Sequence, residues 1–113
     1  MQVLFLVLNR TECLEPLLTR LLEQGVRGAT VLRSTGMMRV LDQSGDDAPM
    51  FGALRQLYDP TRKDSTTIMM VLEDEQAPAV RKLVHEVTGG LNQPDSGILF
   101  AVPVLYADGI GVQ

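Results

Sequence analysis

Residues 1–8 read MQVLFLVL, and this stretch predicts a β-strand that is apolar on both of its sides. One side carries Val3, Phe5 and Val7, and the other carries Leu4, Leu6 and Leu8. A half-exposed strand alternates apolar with polar residues, whereas a strand covered on both faces does not. We therefore expect residues 1–8 to form a central strand of a sheet, with both faces covered.

The sequence then follows the same plan twice: a strand, a helix, a glycine stop and another strand. The first unit comprises a strand at 1–8, a helix at 16–24, Gly25 and a strand at 29–33. The second comprises a strand at 67–72, a helix at 78–87, Gly89 with Gly90 and a strand at 98–105. Two βαβ units predict one α+β domain over residues 1–113, a ferredoxin-like βαββαβ sandwich.

Both helices show an apolar stripe with three- and four-residue spacing, which is typical of a helix that packs on a sheet. The first stripe consists of Leu14, Leu17, Leu18, Leu21 and Leu22. The second consists of Val80, Leu83, Val84 and Val87, which leaves His85 on the solvent side. Pro16 and Pro78 favour the first turn of each helix, where the missing N–H costs nothing.

The strand order follows from two residues that do not suit a central strand. Pro103 cannot donate to a ladder, and Arg33 makes the end of the second strand polar, so the fourth and second strands are expected at the edges. With right-handed crossovers, the antiparallel sheet then has the order 4-1-3-2 and both helices lie on one face. Each apolar side chain left in water on the other face forgoes about 1.5–3 kcal/mol. The sequence therefore predicts an obligate oligomer.

Composition excludes several classes of function. The chain has 45% apolar and 21% charged residues, a net charge of −4 and a pI near 4.8. An acidic chain of this kind is unsuited to nucleic acid, whose binders cluster lysine and arginine. The single cysteine, Cys13, favours a reducing, cytoplasmic compartment, and residues 1–8 are too few to cross a bilayer. We expect no membrane insertion.

Four segments resemble parts of PII nitrogen-regulatory proteins. They are GVRGATV at 25–31 followed by GMMR at 36–39, Thr88-Gly89, and GILFAVPV at 97–104. The resemblance implies a non-catalytic homotrimer that binds a small effector, with an adenine nucleotide as the candidate, in clefts between subunits. It implies no catalytic residue, no metal and no required cofactor. The effector-binding positions that it implies are Thr30, Gly36, Met37, Met38, Arg39, Thr88, Gly89 and Gly90.

The chain departs from the PII pattern around the phosphate site. Ile98 stands where the family has a lysine, the loop at 88–97 is longer by about three residues, and no arginine follows Tyr106. These differences predict an effector that is smaller or less charged than ATP.

Residues 42–66 stand where PII proteins have the loop that docks on a protein target. Met50, Leu54, Leu57 and Tyr58 have helical spacing, and Asp47 is a suitable cap, so we expect a short helix within this variable loop. Tyr58 either receives a covalent modification, as a loop tyrosine does in the family, or packs the helix. The candidate docking residues for an unknown protein target are Asp46, Asp47, Arg55, Tyr58, Arg62 and Lys63.

Other functions remain as alternatives. Arg10 follows the first strand, as the phosphate-binding arginine of an acylphosphatase-like enzyme does, but without a glycine-rich cradle. Met37 and Met38, or Met69 and Met70, could suggest a CutA-like metal or stress protein, but adjacent methionines in a strand point to opposite faces. Cys13 and His85 are predicted on separate helices, which is unsuitable for a dyad. An RNA-recognition module would need aromatic residues on the third strand, which has none.

Overall fold

The computed structural model of the chain describes residues 1–43, 64–93 and 95–110. It confirms a small α+β domain with a four-stranded antiparallel sheet. The elements in chain order are β1 (Gln2–Leu8), a short 3-10 helix (Thr11–Cys13), α1 (Leu14–Glu23), β2 (Thr30–Ser34), α2 (Met37–Gln43), β3 (Ser65–Leu72), α3 (Ala77–Thr88) and β4 (Gly97–Pro103).

The strands lie in the order β2-β3-β1-β4, which reads 4-1-3-2 from the β4 edge. All neighbouring pairs are antiparallel: Phe5 of β1 lies opposite Met69 of β3 on one side and opposite Phe100 of β4 on the other. Strands β1 and β3 are therefore central. Pro103, at the end of β4, lies in an edge strand, where its missing N–H breaks no central ladder.

One face of the sheet carries the hydrophobic core. Leu4, Leu6 and Leu8 of β1 point to this face and are almost completely buried, as are alternate residues of β3. Helices α1 and α3 supply the other side of the core, so both helices pack on the same face of the sheet. The helical contributions are Leu17, Leu21, Ala77, Val80, Leu83 and Val84.

The opposite face of the sheet, which we call the open face, is also apolar. The strand register places nine of its side chains on this one side: Val3, Phe5, Val7, Leu32, Met69, Val71, Ile98, Phe100 and Val102. Five of them are only partly buried, and the other four, Leu32, Ile98, Phe100 and Val102, are between 42% and 61% exposed. The rings of Phe5 and Phe100 stack with their centroids 5.1 Å apart.

The predicted helix boundaries agree closely with the structure. Gly25 has a φ of 87° after α1, and Gly89 has a φ of 78° at the end of α3, so both take the left-handed conformation that glycine adopts at helix ends. Pro78 lies in the first turn of α3. One residue of the predicted α1 stripe is wrong, because Leu22 is 61% exposed and does not pack against the core.

Two expectations about the chain after β2 need correction. Met37 and Met38 are not strand residues: the chain turns at Gly36 and forms α2, in which the Val40 N–H donates to the Gly36 carbonyl at 3.1 Å. The region assigned to a variable loop, 42–66, is also too wide, since residues 42 and 43 end α2 and residues 65 and 66 begin β3. The expected short helix and all six candidate docking residues lie outside the described residues.

Asp74, in the acidic run at 73–75 before α3, ties that turn to the start of the chain. The Asp74 carboxylate accepts a hydrogen bond from Gln2 Nε2 at 3.0 Å and lies 3.2 Å from the Met1 ammonium group. The hydrogen bond from Gln2, with the nearby ammonium group, lowers the pKa of Asp74. Within the described ranges, no cluster of three or more His, Cys, Asp or Glu side chains could hold a metal ion. Likewise, no helix in these ranges has the length and apolar character to span a membrane.

The two faces of α1 give a direct test of the packing. Leu21→Ala removes a fully buried side chain of α1, so we expect urea denaturation to show a loss of about 2–5 kcal/mol in the free energy of unfolding. Leu22→Ala is the matched control, because Leu22 is exposed, and its free energy of unfolding should stay within about 0.5 kcal/mol of the wild type. An equal loss in both variants would contradict the packing described here.

Candidate functional site

One end of the sheet opens into a cleft that contains four of the eight predicted effector-binding residues. Strand β1 ends there, and β3 and β4 begin there, so the loops after β2 and before β4 meet at this end. We call it the Arg39 cleft; its volume is about 340 Å³. Its lining residues are Val7, Asn9, Gly36, Met37, Met38, Arg39, Ser65, Gln93, Asp95, Ser96, Gly97 and Ile98.

The dominant electrostatic feature of the cleft is a buried ion pair. Arg39 Nη2 on α2 lies 2.6 Å from Asp95 Oδ2 in the loop before β4, and each side chain is only 7% exposed. An arginine that is this deeply buried needs an anionic partner, because an uncompensated buried charge is costly. Asp95 therefore neutralises the one cation that sequence analysis assigned to the effector.

Arg10 fixes the loop before β4 to the end of α3. Its Nη1 donates to the Thr88 carbonyl at 2.7 Å, and its Nη2 donates to Gln93 Oε1 at 2.6 Å. The first bond places a cation at the C-terminus of α3, where unpaired carbonyl groups and the helix dipole favour positive charge. Arg10 thus connects Gln93, which lines the cleft, to the C-terminus of α3.

Gly97 brings β4 close to β1 at the mouth of the cleft. A Cβ atom at this position would lie 2.5 Å from the Val7 carbonyl oxygen, and the φ of Gly97 is 152°. No side chain fits at that distance, so a glycine is required for the two strands to pair here. The close approach places Ile98 on the open face directly opposite Val7.

Thr88, Gly89 and Gly90 lie beside the cleft rather than in its wall. The Thr88 hydroxyl donates to the Val84 carbonyl at 2.7 Å, and the Gly90 N–H donates to Thr88 Oγ1 at 3.3 Å. Thr88 is buried, and these bonds end the helix. Arg10, which bonds both the Thr88 carbonyl and Gln93, links the end of α3 to the lining of the Arg39 cleft.

Thr30 lies at the other end of β2, six positions before Gly36, and does not line the Arg39 cleft. The residues just before it, Arg27 and Gly28, contribute to a second cleft of about 210 Å³ at that end of the sheet. In one copy of the chain, Thr30 therefore lies at the opposite end of the sheet from the Arg39 cleft.

Hydroxyl groups border the Arg39 cleft on the β2–β3 side. Ser34 Oγ lies 2.7 Å from Ser65 Oγ and 2.8 Å from Thr67 Oγ1, and Ser65 Oγ donates to the Ser34 carbonyl at 3.1 Å. Ser65 is also in the lining of the cleft. These uncharged groups supply hydrogen-bonding capacity next to the Arg39–Asp95 pair.

Sequence analysis missed Asp95, Gln93, Ser96 and Asn9, although one signal was present. Arg39 lies within the apolar segment MMRVL at 37–41, where a buried guanidinium group needs a carboxylate. Asp95 is the single carboxylate residue in the loop at 88–97. Pairing the two would have required knowing that this loop meets α2.

Comparison with known proteins adds information about the fold alone. No protein-family model matches the chain, and no curated protein matches it. Among solved structures, the chain is similar to a functionally unknown protein from Pediococcus pentosaceus ATCC 25745, with a TM-score of 0.64 and 16% sequence identity over 95% of this chain and 94% of that chain. In all, 133 solved chains match, and likeness of fold alone does not assign a function.

The buried ion pair gives a prediction for stability. Arg39→Met leaves the Asp95 carboxylate buried without its partner, so we expect chemical denaturation to show a loss of about 3–5 kcal/mol. In Arg39→Met/Asp95→Asn no charge remains at the pair, and asparagine tolerates the left-handed φ of 59° at position 95. The double variant should therefore recover at least about half of the loss. If the double variant is less stable than Arg39→Met, the loss in Arg39→Met does not come from leaving the Asp95 charge unpaired, and the ion pair does not have the role described here.

Proposed function

We propose that this chain is a non-catalytic, PII-like regulatory subunit with a ferredoxin-like βαββαβ sandwich. Three copies associate through the open face, a small effector binds in the clefts between subunits, and effector occupancy regulates a protein partner. The observation that carries the proposal is the open face, with its nine apolar side chains on the side of the sheet opposite both helices.

The open face has the character of an interface core. Four of its side chains are more than two-fifths exposed, and the stacked Phe5 and Phe100 rings lie in its middle rows. Aromatic and aliphatic residues of this kind dominate the buried centre of permanent interfaces. A homotrimer covers one such face on every subunit at once and closes on itself.

The separation of the predicted site residues also favours a site shared between subunits. Thr30, with Arg27 and Gly28 before it, lies at one end of the sheet, while Arg39 lies at the other. One copy holds these groups at opposite ends of the five-residue strand β2. A neighbouring subunit that presents its Thr30 end to the Arg39 cleft would complete the set.

The alternatives gain no comparable support from the cleft. Arg10, the candidate phosphate-binding residue of an acylphosphatase-like enzyme, donates to Thr88 and Gln93 instead of lying in an open anion cradle.

A CutA-like metal site would need the sulfur atoms of Met37 and Met38 to converge. The two residues are neighbours on a helix, so their side chains leave the axis about 100° apart. Met37 is 72% exposed, whereas Met38 is partly buried.

The assembly is tested by placing a charge in the open face. Phe100→Glu buries a carboxylate in the proposed interface, so we expect light scattering to change from three times the 12.4 kDa chain mass to the mass of one chain. Leu22→Glu is the matched control, because Leu22 is exposed on α1, away from the open face. A wild-type protein with the mass of a single chain would refute the proposed trimer.

Effector binding is tested by thermal unfolding of the wild type with adenosine, AMP, ADP, ATP and cyclic dinucleotides. A ligand at a hundred times its dissociation constant adds about 2.7 kcal/mol to the stability of the folded state, which raises the melting temperature by several degrees. We expect at least one adenine compound to do so. A trimer that responds to none of them would refute the adenine effector and leave an assembly of another function.

A further inference from the structure

We infer that Asp95 determines which ligands the Arg39 cleft accepts: its carboxylate occupies the anion-binding position of Arg39, so the cleft excludes polyphosphate groups and accepts molecules with at most one negative charge. This inference rests on the proposed function, since it takes the Arg39 cleft to be part of the effector site. It goes beyond that function by naming the residue that selects the ligand.

The first support is the geometry of the pair. Asp95 Oδ2 lies 2.6 Å from Arg39 Nη2, the position in which a phosphate oxygen would accept a charge-assisted hydrogen bond. Each of the two side chains is only 7% exposed, so water screens the charge of this carboxylate poorly. A polyphosphate entering the cleft would meet a buried negative charge beside the arginine that should attract it.

The second support is that Asp95 is held in place. Ser96 Oγ donates to the Gln93 carbonyl at 2.7 Å, and the Asn9 N–H donates to the Ser96 carbonyl at 3.2 Å. Arg10 fixes the Gln93 side chain from the other direction. Ser96 is therefore tied to Asn9, just after β1, and Gln93 is tied through Arg10 to the end of α3. To displace the carboxylate from Arg39, a ligand would have to break this arrangement as well.

The third support is the chemistry of the remaining wall. Among the described residues that line the cleft, Arg39 and Asp95 are the charged ones, and their charges cancel. The others are apolar, such as Val7 and Ile98, or uncharged and polar, such as Asn9 and Ser65. A wall of this kind suits a molecule with an apolar surface and a few hydrogen-bonding groups.

The test measures binding of inorganic tripolyphosphate by calorimetry, at an ionic strength held constant with potassium chloride. The wild type should give no binding in the micromolar range. Asp95→Asn keeps the size of the side chain and suits the left-handed backbone, but it removes the negative charge that faces Arg39. We expect this variant to bind tripolyphosphate about tenfold more tightly than the wild type, or better, and the gain to disappear in Arg39→Gln/Asp95→Asn.

Two results would overturn the inference. One is micromolar binding of tripolyphosphate to the wild type that Arg39→Gln abolishes, and the other is a folded Asp95→Asn variant with no gain. If Asp95→Asn does not fold, Asp95→Gly takes its place with the same expectation, because glycine readily adopts a φ of 59°.

The outcome is separable from that of the proposed function. A wild type that binds ATP far more tightly than adenosine, as a trimer, would contradict the role of Asp95 and leave the regulatory trimer intact. A wild type with the mass of one chain would refute the trimer, whereas the response of Asp95→Asn to tripolyphosphate would still decide the role of Asp95.

Discussion

The fold depends on a central strand that is apolar on both sides while helices pack on only one of them. Leu4, Leu6 and Leu8 of β1 are covered by α1 and α3 and form the centre of the core. Phe5, on the other side of the same strand, stacks on Phe100 in a face that stays partly exposed. Since each exposed apolar side chain forgoes about 1.5–3 kcal/mol, covering the open face is worth a large share of the stability of a small domain. The proposed assembly follows from this imbalance between the two faces.

The same strand also connects the open face with the cleft. β1 ends where β4 begins, and Gly97 lets the two strands approach so closely that Ile98 lies opposite Val7. Both residues belong at once to the open face and to the lining of the Arg39 cleft. A subunit docked on the open face would therefore form part of the environment of the cleft. Within the cleft, the charges of Arg39 and Asp95 cancel, so the cleft has no net positive charge with which to attract an anion.

Sequence reasoning predicted the parts of the structure that local chemistry determines. The double apolar pattern of β1, the edge position of Pro103 and the glycine stops at Gly25 and Gly89 are all present in the structure. It erred where a tertiary contact decides the outcome: residues 37–39 belong to a helix, and Leu22 lies outside the packed stripe. The Arg39–Asp95 pair joins residues 56 positions apart, so no local pattern could identify it. Four of the predicted effector positions, Gly36 to Arg39, line one cleft, whereas Thr30 lies at the far end of the sheet.

The most direct test of whether the open face must be covered is the mass of the unaltered protein in solution. Sedimentation equilibrium measures this mass while the protein is diluted from micromolar to nanomolar concentration. The account predicts a mass of three times 12.4 kDa that persists on dilution, because an interface built from this face is part of the stability of each subunit. A folded, stable single chain of 12.4 kDa at micromolar concentration would contradict it.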